Sequence, residues 1–163
     1  MAITIRAAAP PDADAICAIH NEGIVDRIAT LDTEARTPAV TRGWLDERSP
    51  RHPVIVAETA DGVVGWGSLN RFNPRGAYDH VADFSVYVAR ARRGQGIGRQ
   101  LLERLVELAR GHGFHKLVLS TLAVNRTGIG LYERLGFSHV GVYREQGLLD
   151  GRWVDVVIME RIL

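Results

Sequence analysis

Apolar and polar positions alternate between two periods along the chain, and this predicts the order of its elements. Residues 3–7 read as a short strand. Pro10, Pro11 and Asp12 then open a helix whose Ile16, Ile19, Gly23 and Ile24 recur at helical spacing. Residues 27–37, with Arg27, Thr30, Thr33 and Thr37, read as a loop. Pro38 starts a second helix that runs to about residue 48 and is broken by Pro50. Val54 to Ala57 is a strand, Asp61-Gly62 a tight hairpin turn, and Val63 to Leu69 the antiparallel return. Residues 70–79, with Pro74 and Gly76, read as a loop, and residues 81–89 as a further strand. The clearest helix follows: Ile97, Leu101, Leu105, Leu108 and Ala109 fall on one face, with Arg99, Glu103, Glu107 and Arg110 outside it. Gly111 and Gly113 end it. A strand over 116–121, a helix over 125–135 stopped by Gly136, and two closing strands, about 138–146 and 153–161, joined through Asp150-Gly151, complete the order.

This order, β-α-α-β-β-β-α-β-α-β-β, implies an α/β fold with a mixed central sheet flanked by helices. At 163 residues, without repeat or linker, the chain reads as one domain over 1–163. A net charge of +1 makes no case for nucleic acid or an anionic membrane as partner. Apolar runs are too short to span a bilayer, and the N-terminus lacks the regions of a signal peptide. Cys17, the one cysteine, excludes an internal disulfide and lies on the apolar face of the first helix as core filler. A soluble, cytoplasmic protein is expected.

The most specific motif is Arg92-Arg93-Gly94-Gln95-Gly96-Ile97-Gly98-Arg99, between a strong strand and a strong helix. Glycines at alternate positions let the backbone turn tightly and approach a ligand. The first N–H groups of the helix have no intrahelical partners, so the turn suits an anion such as a pyrophosphate. A Walker loop needs Gly-Lys-Ser/Thr, which is absent, and the dinucleotide fingerprint needs glycine where Arg99 stands. Spacing alone leaves a purely structural turn open.

Arg93-x-x-Gly96-x-Gly98 matches the signature Gln/Arg-x-x-Gly-x-Gly/Ala, and Asn125 and the segment Leu131-Tyr132-Glu133-Arg134-Leu135-Gly136-Phe137 follow downstream. On these residues and the strand order, nearly the whole chain resembles the GCN5-related N-acetyltransferases. Phe72-Asn73-Pro74-Arg75-Gly76-Ala77-Tyr78, Ser85-Val86-Tyr87-Val88 and Gly151-Arg152-Trp153-Val154-Asp155-Val156 look like the phosphinothricin and methionine sulfoximine acetyltransferases. Asp26-Arg27-Ile28-Ala29-Thr30, Thr33 and Arg36-Thr37-Pro38 look like the arsinothricin-resistance members of that group. The resemblance implies acetyl-CoA as donor, a small amino-acid-like acceptor, direct attack by the amine without a covalent enzyme intermediate, and a homodimer.

The resemblance also distributes roles. Val86, Tyr87, Val88, Arg93, Gly94, Gln95, Gly96, Ile97, Gly98, Arg99 and Asn125 are its cofactor-binding positions, with a backbone N–H near Val86 for the developing oxyanion. Asp83 stands where the group has Glu, so the proton acceptor is one methylene shorter and a bridging water enters the reading; Phe84 follows where His is frequent. Asp83 either takes the proton of the amine or only orients the ammonium. Tyr132 is the candidate proton donor to the departing thiolate, because a phenol of pKa about 10 keeps its proton at neutral pH; the alternative is a packing aromatic. Asn125 is either a pantetheine contact, a helix N-cap, or both. Arg75 suits an anionic head group by paired hydrogen bonds, and Thr30 and Tyr78 join it as acceptor-binding candidates. Gly128 and Gly130 are costly inside a helix, and close approach of CoA is one reason for them. His112 and His115 lack a third ligand, so no metal is expected; His20, His52, His80 and His139 show no triad partners. Acetylation of another amine or a protein N-terminus, and a non-catalytic acyl-CoA-binding module, are the competing readings.

Overall fold

The computed structural model describes all residues from Met1 to Leu163. Strands β1 (Thr4–Ala7), β2 (Val54–Thr59), β3 (Gly62–Arg71), β4 (Val81–Val88), β5 (Lys116–Leu122), β6 (Ser138–Leu149) and β7 (Arg152–Ile162) form one seven-stranded sheet in the order β1-β2-β3-β4-β5-β7-β6. Every neighbouring pair is antiparallel except β4–β5, which is parallel. The helices are α1 (Ala13–Asp26), α2 (Pro38–Asp46), α3 (Ile97–Gly111) and α4 (Arg126–Arg134). The predicted order and mixed-sheet class are the observed ones.

Helix α3 crosses between the parallel strands and supplies much of the core. Its Ile97, Leu101, Leu102, Leu105 and Ala109 are essentially inaccessible and pack with Leu69, Ala82, Leu117 and Met159 of the sheet. Burying each such leucine contributes about 1.5–3 kcal/mol. The helix can sit this close because β3 carries Gly67 beneath it: a Cβ there would meet Leu105 Cδ1 at 3.0 Å. On the opposite face, α1 lays Ile16 and Ile19 over Val54, Val56 and Trp66.

Strands β2 and β3 run two residues past their expected ends, to Thr59 and Arg71, and two further boundaries differ for a visible reason. Helix α2 ends at Asp46, before residue 48, because the Glu47 N–H caps back onto Gly43 and Arg48 turns inward to donate to the His52 carbonyl at 2.9 Å and to Leu69. Strand β6 continues to Leu149 rather than 146: a bulge with Glu145 at φ 51° absorbs the irregular Glu-Gln-Gly stretch, and pairing resumes at Gly147.

Candidate active site

The site begins where the parallel pair parts. β4 and β5 pair only at Val81, Ala82 and Asp83 against Lys116, Leu117 and Val118, although both strands continue. β4 stays paired to β3 as far as Val88 opposite Gly65. The Ala89 N–H donates to the Val64 carbonyl, on the β3 side. Backbone groups alternate in direction along a strand, so the N–H groups of Val86 and Val88 point into the gap. Side chains alternate across the two faces. Phe84, Val86 and Val88 pack on the α3 core, while Tyr87 packs with the α1 cluster.

The turn after β4 delivers the start of α3 to the same gap. Gly94 and Gly96 have φ of 77° and 81°, conformations that suit glycine. The first bond of the helix runs from the Gln100 N–H to the Gly96 carbonyl at 3.2 Å, so the N–H groups of Ile97, Gly98 and Arg99 have no intrahelical partner. These donors, at the positive end of the helix, fit a pyrophosphate. The side chains of the motif do other work. Arg93 is clamped by Asp26 Oδ2 at 2.6 Å and by the Val88 carbonyl at 3.2 Å, tying the turn to the end of α1. Arg99 pairs with Glu103 at 2.8 Å, Ile97 is a core residue, and Gln95 is exposed.

A cavity of about 380 Å³ opens beside the gap. Asp83 and Tyr132 both line it. Burial pushes the Asp83 carboxyl up from its ordinary value, against opposing pulls from the Asn70 amide and the Arg48 guanidinium. Burial also pushes the Tyr132 phenol up to about 12, with a smaller contribution from Tyr87. Tyr132 rests edge-on against Phe84, ring centres 5.8 Å apart. It therefore packs as an aromatic and faces the cavity at once.

The loop between α1 and α2 closes the far wall, and α1 holds it in place. Asn21 Oδ1 accepts from the Arg36 N–H at 2.8 Å, and Asn21 Nδ2 donates to the Arg36 carbonyl at 2.9 Å. Cys17, buried as core filler, donates to the same carbonyl at 3.3 Å. Arg36 is thereby set on the cavity wall beside Thr30 and Asp32.

Several expectations change in detail. Arg75 and Tyr78 sit on an exposed turn, Tyr78 against Phe72, outside the cavity lining; the guanidinium on the wall is that of Arg36. The Tyr87 side chain turns from the gap and stacks on Trp66 at 5.1 Å, so only its backbone lies along the free edge of β4. Asn125 is an N-cap: its Oδ1 accepts from the Gly128 N–H at 3.1 Å, and its Nδ2 donates to Thr121 at 2.9 Å. Gly128 has a nearer reason than CoA, since a Cβ would lie 2.4 Å from the Asn125 amide nitrogen. His20, without a visible partner in the sequence, meets Asp32 at 3.1 Å; its Nδ1 and Trp66 Nε1 are buried without a hydrogen-bond partner. Sequence reasoning passed over Arg36, His20, Trp66 and Asn70 as site residues, because no local pattern joins segments so far apart in the chain.

Residues 19–137 match the Acetyltransferase (GNAT) family. The chain belongs to this family of acetyltransferases. It is 35% identical over 162 residues to an L-methionine sulfoximine/L-methionine sulfone acetyltransferase of Pseudomonas aeruginosa, covering 98% of this chain and 94% of that one. A phosphinothricin acetyltransferase from Sinorhizobium meliloti, solved in complex with acetyl-CoA, superposes with a TM-score of 0.94 at 29% identity, covering 100% of this chain and 89% of the other. A ribosomal-protein-alanine N-acetyltransferase from Brucella melitensis does so with a TM-score of 0.94 at 36% identity, covering 98% and 99%. The chain is an acetyl-CoA-dependent N-acetyltransferase. No helix is long and apolar enough to cross a membrane.

Proposed function

We propose that this enzyme acetylates the α-amino group of a glutamate-like amino-acid analogue in the cytoplasm, as a detoxifying step. Methionine sulfoximine, phosphinothricin and arsinothricin are the candidate acceptors. The observation that carries the reading is that Asp83 and Tyr132 line one cavity at the gap between β4 and β5.

Acetyl-CoA supplies the activated acetyl group. The backbone of Gly94 to Arg99 holds its pyrophosphate, and the free edge of β4 from Val86 to Val88 holds its arm. Asp83 takes the proton of the acceptor amine, directly or through one water; its raised pKa makes it a better base near neutrality. The Val86 N–H donates to the oxygen on which negative charge develops. Tyr132 is the donor that faces the departing sulfur: its phenol, near 12, stays protonated at neutral pH and hydrogen-bonds the developing thiolate, and water supplies the proton that the thiolate, of pKa about 8.5, finally takes up. Arg36 and Thr30 receive the polar head of the acceptor. Arg75 and Tyr78 reach a cavity only if a second copy presents them, and a homodimer provides that route.

The likeness to the Brucella enzyme supports a second reading, in which a protein N-terminus is the acceptor. Both are tested by following CoA release with the three analogues, methionine sulfone, glutamate and alanine- or serine-ended peptides. Rapid turnover of one analogue supports the first reading; turnover of peptides alone replaces it with the second.

A further inference from the structure

The mechanism uses Asp83 but leaves unexplained what aims its carboxylate. The residues around it supply an answer in Asn70. Asn70 stands directly opposite Asp83 across the β3–β4 pair, and Ser68 stands opposite Ser85. Opposed residues share a face of the sheet, so the four polar side chains form one cluster on the cavity side, with Asn70, Asp83 and Ser85 in its lining.

The orientation of the Asn70 amide is over-determined. Arg48 Nη2 approaches one amide atom at 3.1 Å, and the Ser68 hydroxyl approaches the same atom at 2.9 Å. A guanidinium only donates, so the atom facing it must be the oxygen. The NH2 group is therefore turned towards β4. There it donates to Ser85 Oγ at 3.2 Å, on the strand where Asp83 stands directly opposite Asn70 and feels its amide. Arg48 is itself held by the His52 carbonyl at 2.9 Å, by Leu69, and by stacking over Trp44 at 4.7 Å. It cannot swing away without breaking these contacts.

We propose that Asn70, locked by Arg48 and Ser68, is the positioning residue for the Asp83 carboxylate, presenting an N–H donor that fixes the acceptor lone pair used on the amine. This rests on the role given to Asp83 above. An amide suits this position because it adds a directed donor without a second charge. The buried carboxyl is balanced between burial, which favours its neutral form, and this donor and Arg48, which favour the ion. Arg48 is the charged group acting on Asp83; the other ionisable groups on the cavity walls are Tyr87 on β4, Tyr132 on α4, His20 on α1, and Asp32 and Arg36 on the loop.

The test is the pH dependence of kcat/KM in Asn70→Leu and Asn70→Asp, beside a 13C NMR titration of the Asp83 carboxyl in each. Losing the donor moves the Asp83 midpoint and the acid limb of the profile up together by about one pH unit, tenfold in rate below it. Asn70→Asp, which sets a second carboxylate beside the first, moves them further. Ser68→Ala, which releases one of two locks and is easier to fold, moves them in the same direction by less. Circular dichroism and unchanged acetyl-CoA affinity confirm folded variants. An Asp83 midpoint that stays in place in folded variants overturns the inference. A midpoint that moves while Asp83→Asn keeps full activity upholds the contact and overturns instead the role of Asp83 as base.

Discussion

The two sides of the gap beside β4 are built on opposite principles. On the side proposed for the cofactor, one contiguous turn, 93–99, offers backbone N–H groups, and its side chains are spent elsewhere: Ile97 in the core, Arg93 on Asp26, Arg99 on Glu103. On the acceptor side, the wall is made of side chains from α1, the loop after it, β3, β4 and α4. A backbone site needs a conformation, and glycine spacing encodes conformation locally. A side-chain site needs juxtaposition, which only packing provides. The first design suits a donor shared across a family, and the second suits an acceptor that varies.

Substitutions can break this contrast. The largest effect is expected from Asp83→Asn, which removes the proposed proton acceptor: kcat should fall about 10²–10⁴-fold, while acetyl-CoA affinity by calorimetry is unchanged. An equal loss of acetyl-CoA affinity would make the two sides one site. Next is Gly96→Val. A β-branched residue at φ 81° is strained by about 1–3 kcal/mol, and KM for acetyl-CoA should rise about tenfold or more with the acceptor KM little changed. Arg36→Ala should raise the acceptor KM by about tenfold, the value of one charge-assisted hydrogen bond. Arg75→Ala should match it only if a second copy supplies that side chain, so ultracentrifugation of both variants sharpens the test. Smallest is Tyr132→Phe, for which kcat should fall about tenfold because water substitutes as proton donor.

The pH profile separates the same groups. As the proposed base Asp83 would work ionised, and its pKa is raised, so activity should be lost as pH falls through a midpoint above the ordinary value of an aspartate. As the proposed donor Tyr132 would work protonated, with a pKa near 12, so it should produce no loss of activity between pH 7 and about 10. An alkaline limb within that range in wild type but absent from Tyr132→Phe would contradict its burial.

Legibility followed the same division. The periodicity of Ile97, Leu101, Leu105 and Ala109 marked the core face of α3, and the glycine turn marked the start of its helix. Asp83 could be singled out because it lies on the strand leading into that turn, and its place on the cavity wall agrees with that position. Arg36 was not: its place on the cavity wall depends on Asn21 and Cys17, one helix away. His20 likewise gained Asp32 only through the path of the loop. Arg75 suits an anion clamp by residue type, yet its turn projects outward in a single chain.

By itself, then, the sequence determined the order of elements, the mixed sheet and the glycine turn that opens α3, because these follow from short-range periodicity, turn chemistry and backbone freedom. Only the tertiary structure decided that β4 and β5 separate after Asp83, which side chains meet in the cavity, and which way the Asn70 amide faces. Those depend on contacts between segments far apart in the chain, and no local pattern of residues records them.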